Sequence, residues 1–275
     1  METRLQLIEG NFESQQSGKS DLLIYIGSDH ISYAIVDKGR EQLKALVDYK
    51  AGVSDLHEIM QTDRYLKYYY GKIKIITNTF KFTFIPRDIY DSSEIADYSK
   101  FISPKSPADI ITNDIKAFRI KNIMAVDADF QEKISSHFNQ PVFYSQANPF
   151  IEGLRKIAQE TDKYRLCINL HSEMMEIAII NDENLLFYNL FETRTPDEFN
   201  YFLLLVIKQF DLNAENTSVL IAGRVETNDE SYLRLEKYFN HIKFADPCGF
   251  IQCSETFAAV NYHHHFSLLS LNLCE

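Results

Sequence analysis

Tyr25-Ile26-Gly27-Ser28-Asp29-His30-Ile31-Ser32-Tyr33-Ala34-Ile35-Val36 and Asn169-Leu170-His171-Ser172-Glu173-Met174-Met175-Glu176-Ile177-Ala178-Ile179-Ile180 are the two stretches on which the reading of this fold turns. Sliding the chain by 144 residues lays one on the other without a gap, with Ser28/Ser172, Ala34/Ala178 and Ile35/Ile179 identical. Each is an apolar run, a short polar turn and a second apolar run, the pattern of a β-hairpin. The elements around them repeat in the same order. Leu22 to Ile26, His30 to Val36 and Leu43 to Tyr49 predict a three-stranded meander, with turns at Gly27-Ser28-Asp29 and Asp37-Lys38-Gly39. Leu166 to Leu170, Met174 to Ile180 and Leu185 to Phe191 predict a second.

After the first meander, the spacing of Val53, Leu56, Ile59, Met60 and Leu66 predicts a helix, followed by strands Ile73 to Thr77 and Phe80 to Ile85, closed by Pro86. Asp91-Ser92-Ser93-Glu94 offers an N-cap and an acidic first turn for a helix to Phe101, and Ser103 to Pro107 reads as a loop. Ile123 to Val126 (strand), Phe130 to Phe138 (helix), Val142 to Tyr144 (strand) and Pro149 to Glu160 (helix) complete the first half. After the second meander, Thr195-Pro196-Asp197-Glu198 is a capping box with proline at the first helical position, opening a long buried helix through Phe210. A strand from Ser218 to Ala222 ends at Gly223; a second capping box, Thr227-Asn228-Asp229-Glu230, precedes a helix from Tyr232 to Phe239 and a strand from Ile242 to Phe244. Alternating strands and helices imply α/β layers. The expected domains are a loosely ordered polar segment over 1–21, a first lobe over 22–160 with a small subdomain around 72–121, a second lobe over 161–247, and a C-terminal segment over 248–275.

Composition narrows the function classes. The chain of 275 residues is 45% hydrophobic, which suits one or two packed domains rather than disorder. A net charge of −11 without a basic stripe repels phosphates and argues against a nucleic-acid partner. The longest apolar run, Phe202 to Ile207, is far short of the roughly 20 residues that cross a bilayer, so no stable membrane insertion is expected, and the expected compartment is the cytoplasm. Cys167, Cys248, Cys253 and Cys274 match neither a zinc knuckle nor a dense disulfide framework, and reduced thiols are expected. Cys248 has no neighbouring base that would make it a nucleophile. His263-His264-His265 invites a metal reading, but successive side chains diverge and no carboxylate lies within four residues, so a flexible His-rich end and no metal site are expected. The apolar tail Phe266 to Leu273 reads as a closing strand, a docking segment or a membrane-touching helix.

A meander, helix, strand, helix, strand order occurring twice resembles the actin-like ATPase fold, with its nucleotide cleft between the two copies. The resemblance covers residues 22 to 245. In that superfamily the first hairpin carries D-x-G, the second D-x-G-G-G-T, and a later strand ends in G-G beside adenosine. The corresponding segments here are Tyr25-Ile26-Gly27-Ser28, Asn169-Leu170-His171-Ser172-Glu173-Met174 and Ile221-Ala222-Gly223-Arg224. Ala125-Val126-Asp127-Ala128-Asp129-Phe130 also looks like the V-P-A-x-F stretch that opens the connecting helix in chaperones. The whole is similar to a bacterial domain-of-unknown-function family with an actin-like, ribonuclease-H-like fold.

The departures from the pattern are informative. Backbone N–H groups of glycine turns hold the phosphates in these hairpins, because a side chain would occupy the anion's space. Here His171, Ser172, Glu173 and Met174 stand in the second turn, and Tyr25 and Asn169 replace the aspartates that organise Mg²⁺. What remains of the nucleotide cleft is Gly27, Ser28, Asn169, Ser172 and Gly223, with no catalytic residue and no cofactor expected. The expected function is a non-catalytic binding or scaffold module for a protein or peptide, taken at the surface between the lobes by strand addition. The alternative is an ATP-binding or phosphotransfer enzyme in which Asp29, Glu173, Asp127 and Glu176 supply the carboxylates. A ribonuclease-H-like nuclease would need an aspartate where Tyr25 stands, and a basic face.

Overall fold

The computed structural model describes residues 2–10, 12–157, 164–181 and 184–275. The chain divides into two compact units, one of Met1–Gly153, Cys248–Val260 and Ser267–Glu275, the other of Leu154–Pro247 and Asn261–Phe266.

The first unit contains β1 (Glu2–Ile8), β2 (Ser20–Ile26), β3 (Ile31–Asp37), β4 (Gln42–Lys50), β5 (Ile73–Thr77), β6 (Phe82–Pro86), β7 (Ile110–Ile115), β8 (Ile120–Ala125) and β9 (Val142–Ser145). Six of them form a sheet in the order β1-β4-β3-β2-β5-β9, and the other three a small sheet in the order β6-β8-β7. Successive strand residues point to opposite faces, so Leu22, Ile24 and Ile26 share one face and pack with Tyr33, Ile35 and Val47 and with Leu56, Ile59 and Met60 of the helix Leu56–Thr62. Leu23 and Tyr25, on the other face, are buried too, as expected of a central strand covered on both sides.

The second unit contains β10 (Tyr164–Leu170), β11 (Met174–Asn181), β12 (Asn184–Glu192), β13 (Thr217–Gly223) and β14 (Ile242–Phe244), in the order β12-β11-β10-β13-β14. The helix Pro196–Phe210 starts at the expected capping box: Thr195 Oγ1 accepts from the Glu198 N–H at 3.2 Å and Glu198 Oε2 from the Thr195 N–H at 3.0 Å. It buries Phe199, Leu203 and Val206 among Leu166, Ile168, Ile177 and Ile179, but leaves Tyr201, Leu204 and Leu205 exposed. It is therefore amphipathic rather than buried all round.

The five strands β4-β3-β2-β5-β9 and β12-β11-β10-β13-β14 run in the same order, and the duplication extends to register. Ile26 faces Ile31, and Leu170, 144 residues on, faces Met175. The pairing of β3 with β4 slips between Ile35 and Val36, and that of β11 with β12 slips between Ile179 and Ile180, the equivalent place. A one-residue slip would turn every core side chain outward, so matched slips mark one architecture built twice.

Several elements differ from the sequence expectation. The N-terminal segment, expected to be loose, forms β1, which pairs antiparallel with β4 from Glu2↔Lys50 to Ile8↔Ala45. Its side chains are largely exposed, which removes the hydrophobic signal. β7 was not foreseen, because Ile110-Ile111-Thr112-Asn113-Asp114-Ile115 does not alternate. The second capping box fails: Asp229 precedes the helix Glu230–Leu235 without capping it, and its Oδ2 instead accepts from the Glu226 N–H at 2.8 Å. The apolar tail is neither a strand nor exposed. It forms the helix Phe266–Ser270 and a tight turn over Leu271–Leu273, with Leu268, Leu269 and Leu271 buried. The helix expected over 149–160 is Ala147–Ile157; residues 158–160 and the expected lobe boundary at 160/161 lie outside the described residues.

Candidate functional site

The two turns expected to stand where phosphate loops would be have the same backbone closure. The Gly27 N–H donates to the His30 carbonyl at 2.9 Å, and the His171 N–H to the Met174 carbonyl at 2.9 Å. The Ala51 N–H donates to the Asp29 carbonyl at 3.3 Å, and the Thr193 N–H to the Glu173 carbonyl at 2.8 Å. The first N–H of each turn is thus engaged within the turn rather than turned toward a ligand.

In the first turn, Tyr25 replaces the motif aspartate and is buried. Its ring stacks on His30 with centroids 4.8 Å apart and planes 14° from parallel. The Tyr25 hydroxyl accepts from Asn78 Nδ2 at 2.8 Å, and His30 Nδ1 lies 2.9 Å from Asp29 Oδ1. A Cβ on Gly27 would come within 2.9 Å of Tyr25 Cε1 and 3.1 Å of the His30 carbonyl oxygen. The small size of Gly27 therefore admits this aromatic pair. Ser28 is exposed at the tip.

In the second turn the filling is polar. Asn169 faces Glu176 across the β10–β11 pair, and Tyr188 of β12 lies opposite Ala178, two residues further along the same face, within the diagonal reach of a long side chain. The fully buried Glu176 collects all of them: Asn169 Nδ2 donates to Oε1 at 2.7 Å, His171 Nε2 to Oε1 at 2.7 Å, and the Tyr188 hydroxyl to Oε2 at 2.6 Å. Asn169 Nδ2 also lies 3.2 Å from His171 Nε2. Three donors satisfy a carboxyl group that would be costly to bury alone. Ser172 and Glu173 are exposed.

Gly223 closes β13 with φ +89°, and a Cβ there would sit 2.0 Å from the Leu170 carbonyl oxygen. Only glycine fits this close approach of β13 to β10. Of the five remnants expected from the sequence, Asn169 and Gly223 thus belong to one structural corner with Leu170, while Gly27 belongs to the first hairpin.

The other acidic candidates are engaged as well. Asp127 caps the helix Ala128–Ser135, accepting from the Asp129 and Phe130 N–H groups, and pairs with Lys105 at 2.9 Å. Lys105 first, and then the helix N–H groups, hold its carboxyl below the usual range. Burial pushes the Cys167 thiol up to about 12, which leaves it inert as a nucleophile at neutral pH. His263 and His265 are buried in a turn over Tyr262–His265, in place of the expected flexible end.

The model of a family described as protein of unknown function (DUF3822) matches residues 9–242. The chain belongs to that family. Among solved structures, this DUF3822 chain is similar to a Bacteroides thetaiotaomicron protein with actin-like ATPase fold and unknown function, at 19% identity and a TM-score of 0.76, covering 97% of this chain and 100% of that one. It is also similar to a structure of the PilM-PilN type IV pilus biogenesis complex, at 10% identity and a TM-score of 0.63, covering 92% and 97%. These likenesses establish the actin-like ATPase fold that the hairpin duplication implied. No curated protein matches the sequence. No helix among the described residues is long and apolar enough to cross a membrane.

Proposed function

We propose that this DUF3822 protein is a non-catalytic form of the actin-like fold that serves as a binding or scaffold module for a protein segment. The observation that carries this reading is Glu176, buried behind the second turn with Asn169, His171 and Tyr188 bonded to it. An acidic group at that place opposes an anion, and the His171 side chain stands where a phosphate turn needs glycine. The phosphotransfer alternative requires carboxylates that can order Mg²⁺. Glu176 and Asp127 are bonded as described, and Asp29 lies against His30. Exposed Glu173 by itself is a poor magnesium site.

A sheet edge supports the choice of partner. In the first unit the outer edge of β4 is covered by β1, whereas its counterpart β12 pairs only with β11 among the described residues. An uncovered edge accepts an extended segment through backbone hydrogen bonds. With a chain charge of −11, a neutral or basic segment is favoured. The similar PilM-PilN structure is a protein complex, which agrees with a partner-binding use of this fold.

Two measurements test the reading. Millimolar Mg-ATP is expected to leave the melting temperature unchanged, since stabilisation falls below about 0.5 kcal/mol once Kd exceeds the ligand concentration; a clear upward shift would favour the nucleotide-binding alternative. A crosslinking pull-down from native lysate is expected to recover one protein partner reproducibly, and Leu186→Lys on the exposed side of β12 is expected to abolish it. Recovery of self-association alone, or capture unaffected by the substitution, would remove the scaffold role from this edge.

A further inference from the structure

We infer that Glu226, His263 and His264 form a binding site for a borderline divalent transition-metal ion, with Zn²⁺ the best fit. The site is independent of the two turns and lies wholly in the second unit, where the loop after β13 meets the turn Tyr262–His265. One ligand atom from each of the three residues lies within 4.8 Å of the others. His264 Nε2 and Glu226 Oε1 are already 3.1 Å apart; two ligands about 2.0–2.2 Å from one tetrahedral zinc stand at nearly that separation.

Neighbouring groups hold these side chains in place. His263 Nε2 lies 2.8 Å from the Val225 carbonyl, so its N–H donates there and Nδ1 keeps a lone pair. A backbone carbonyl behind a ligating histidine fixes its tautomer and ring plane. The same ring stacks on Phe244, with centroids 4.0 Å apart. Asn261 Nδ2 donates to Glu226 Oε1 at 2.8 Å, which steadies the carboxylate. Two nitrogens and one oxygen favour zinc, cobalt or nickel over the hard ions Mg²⁺ and Ca²⁺. Three protein ligands leave a fourth position open, and the exposure of Glu226 gives that position to solvent.

The experiment uses the full untagged chain in reducing buffer, on a Cys248→Ser/Cys253→Ser background, because those thiols lie 3.7 Å apart and compete for zinc. Zn²⁺ is titrated against a chromophoric chelator, and Co²⁺ is added separately to read its visible ligand-field bands. One equivalent of Zn²⁺ and the spectrum of a nitrogen and oxygen site are expected. Glu226→Ala and His264→Ala are each expected to weaken zinc by more than about 100-fold, beyond the 10–100-fold typical of an outer-shell loss. Both positions are less buried than His263, whose replacement would also remove the Phe244 stack, and metal-free melting curves verify that the two variants fold. Absence of zinc binding at micromolar concentration, or binding of unchanged strength in both folded variants, would overturn the site.

Discussion

The hairpin of β2 and β3 and the hairpin of β10 and β11 have the same register, the same turn closure and different interiors. Tyr25 faces Ser32 in the first, and Asn169 faces Glu176 in the second. One place is filled by an aromatic stack with His30, the other by a buried carboxyl group with three donors. Alternating apolar residues and a four-residue turn fix the backbone, and they leave the filling of the turn to a few positions that sheet formation does not constrain. One hairpin backbone therefore carries two unrelated side-chain fillings.

The largest expected effect contrasts the two glycines. Gly223→Ala places a Cβ against the Leu170 backbone at positive φ, and a loss of about 4 kcal/mol or a failure to fold is expected in chemical denaturation. Gly27→Ala meets the edge of a side chain first, and about 1 kcal/mol is expected. Equal costs at the two positions would break the distinction between a backbone corner and a packed ring.

Glu176→Ala comes next. It strands Asn169, His171 and Tyr188, and about 2–4 kcal/mol of destabilisation is expected by urea denaturation. The equivalent Ser32→Ala is expected to cost much less, because Ser32 replaces a network centre with a single hydroxyl. Smaller again, Tyr25→Phe keeps the stack on His30 and loses the Asn78 bond, for about 1 kcal/mol.

The smallest effect is local and separates the units by pH. Burial pushes the Asp114 carboxyl up, but Lys121 at 2.9 Å and Arg87 outweigh it and hold the group below the usual carboxylate range. Its stabilisation is present above the unfolded value of about 3.9 and is lost as pH falls through the lower folded value. In the parent, hydrogen exchange in β7 and β8, strands of the small sheet that has no counterpart among the described residues of the second unit, is expected to rise as pH falls through the folded value of Asp114, whereas Asp114→Asn is expected to show the raised exchange already at neutral pH and no such acid-triggered rise. Identical exchange in both proteins would remove Asp114 as the acid-sensitive link.

The architecture was legible in the sequence where burial imposes a period. Leu22-Leu23-Ile24-Tyr25-Ile26 and Leu166-Cys167-Ile168-Asn169-Leu170 read as central strands because both faces are covered. β1 was missed because an exposed edge strand needs no such pattern. The two hairpin turns were legible because a short polar break between apolar runs marks a hairpin. The roles of His171 and Glu176 as partners were not, since two residues five apart meet only when the hairpin register is known. The cluster of Glu226 with His263 and His264 was beyond sequence reasoning for the same reason: its carboxylate lies far outside the local window in which metal spacings are read.

Lys74 links β5 to the turn over Leu271–Leu273. Its ammonium group is buried in the first unit and donates to the carbonyls of Leu271 and Asn272, 197 and 198 residues later. At about 5–20 residues per second of synthesis, those acceptors reach the ribosome exit some 10–40 s after the lysine. Until then β5 lacks these acceptors, and every strand of the second unit emerges before they do. The unit begun first is completed last.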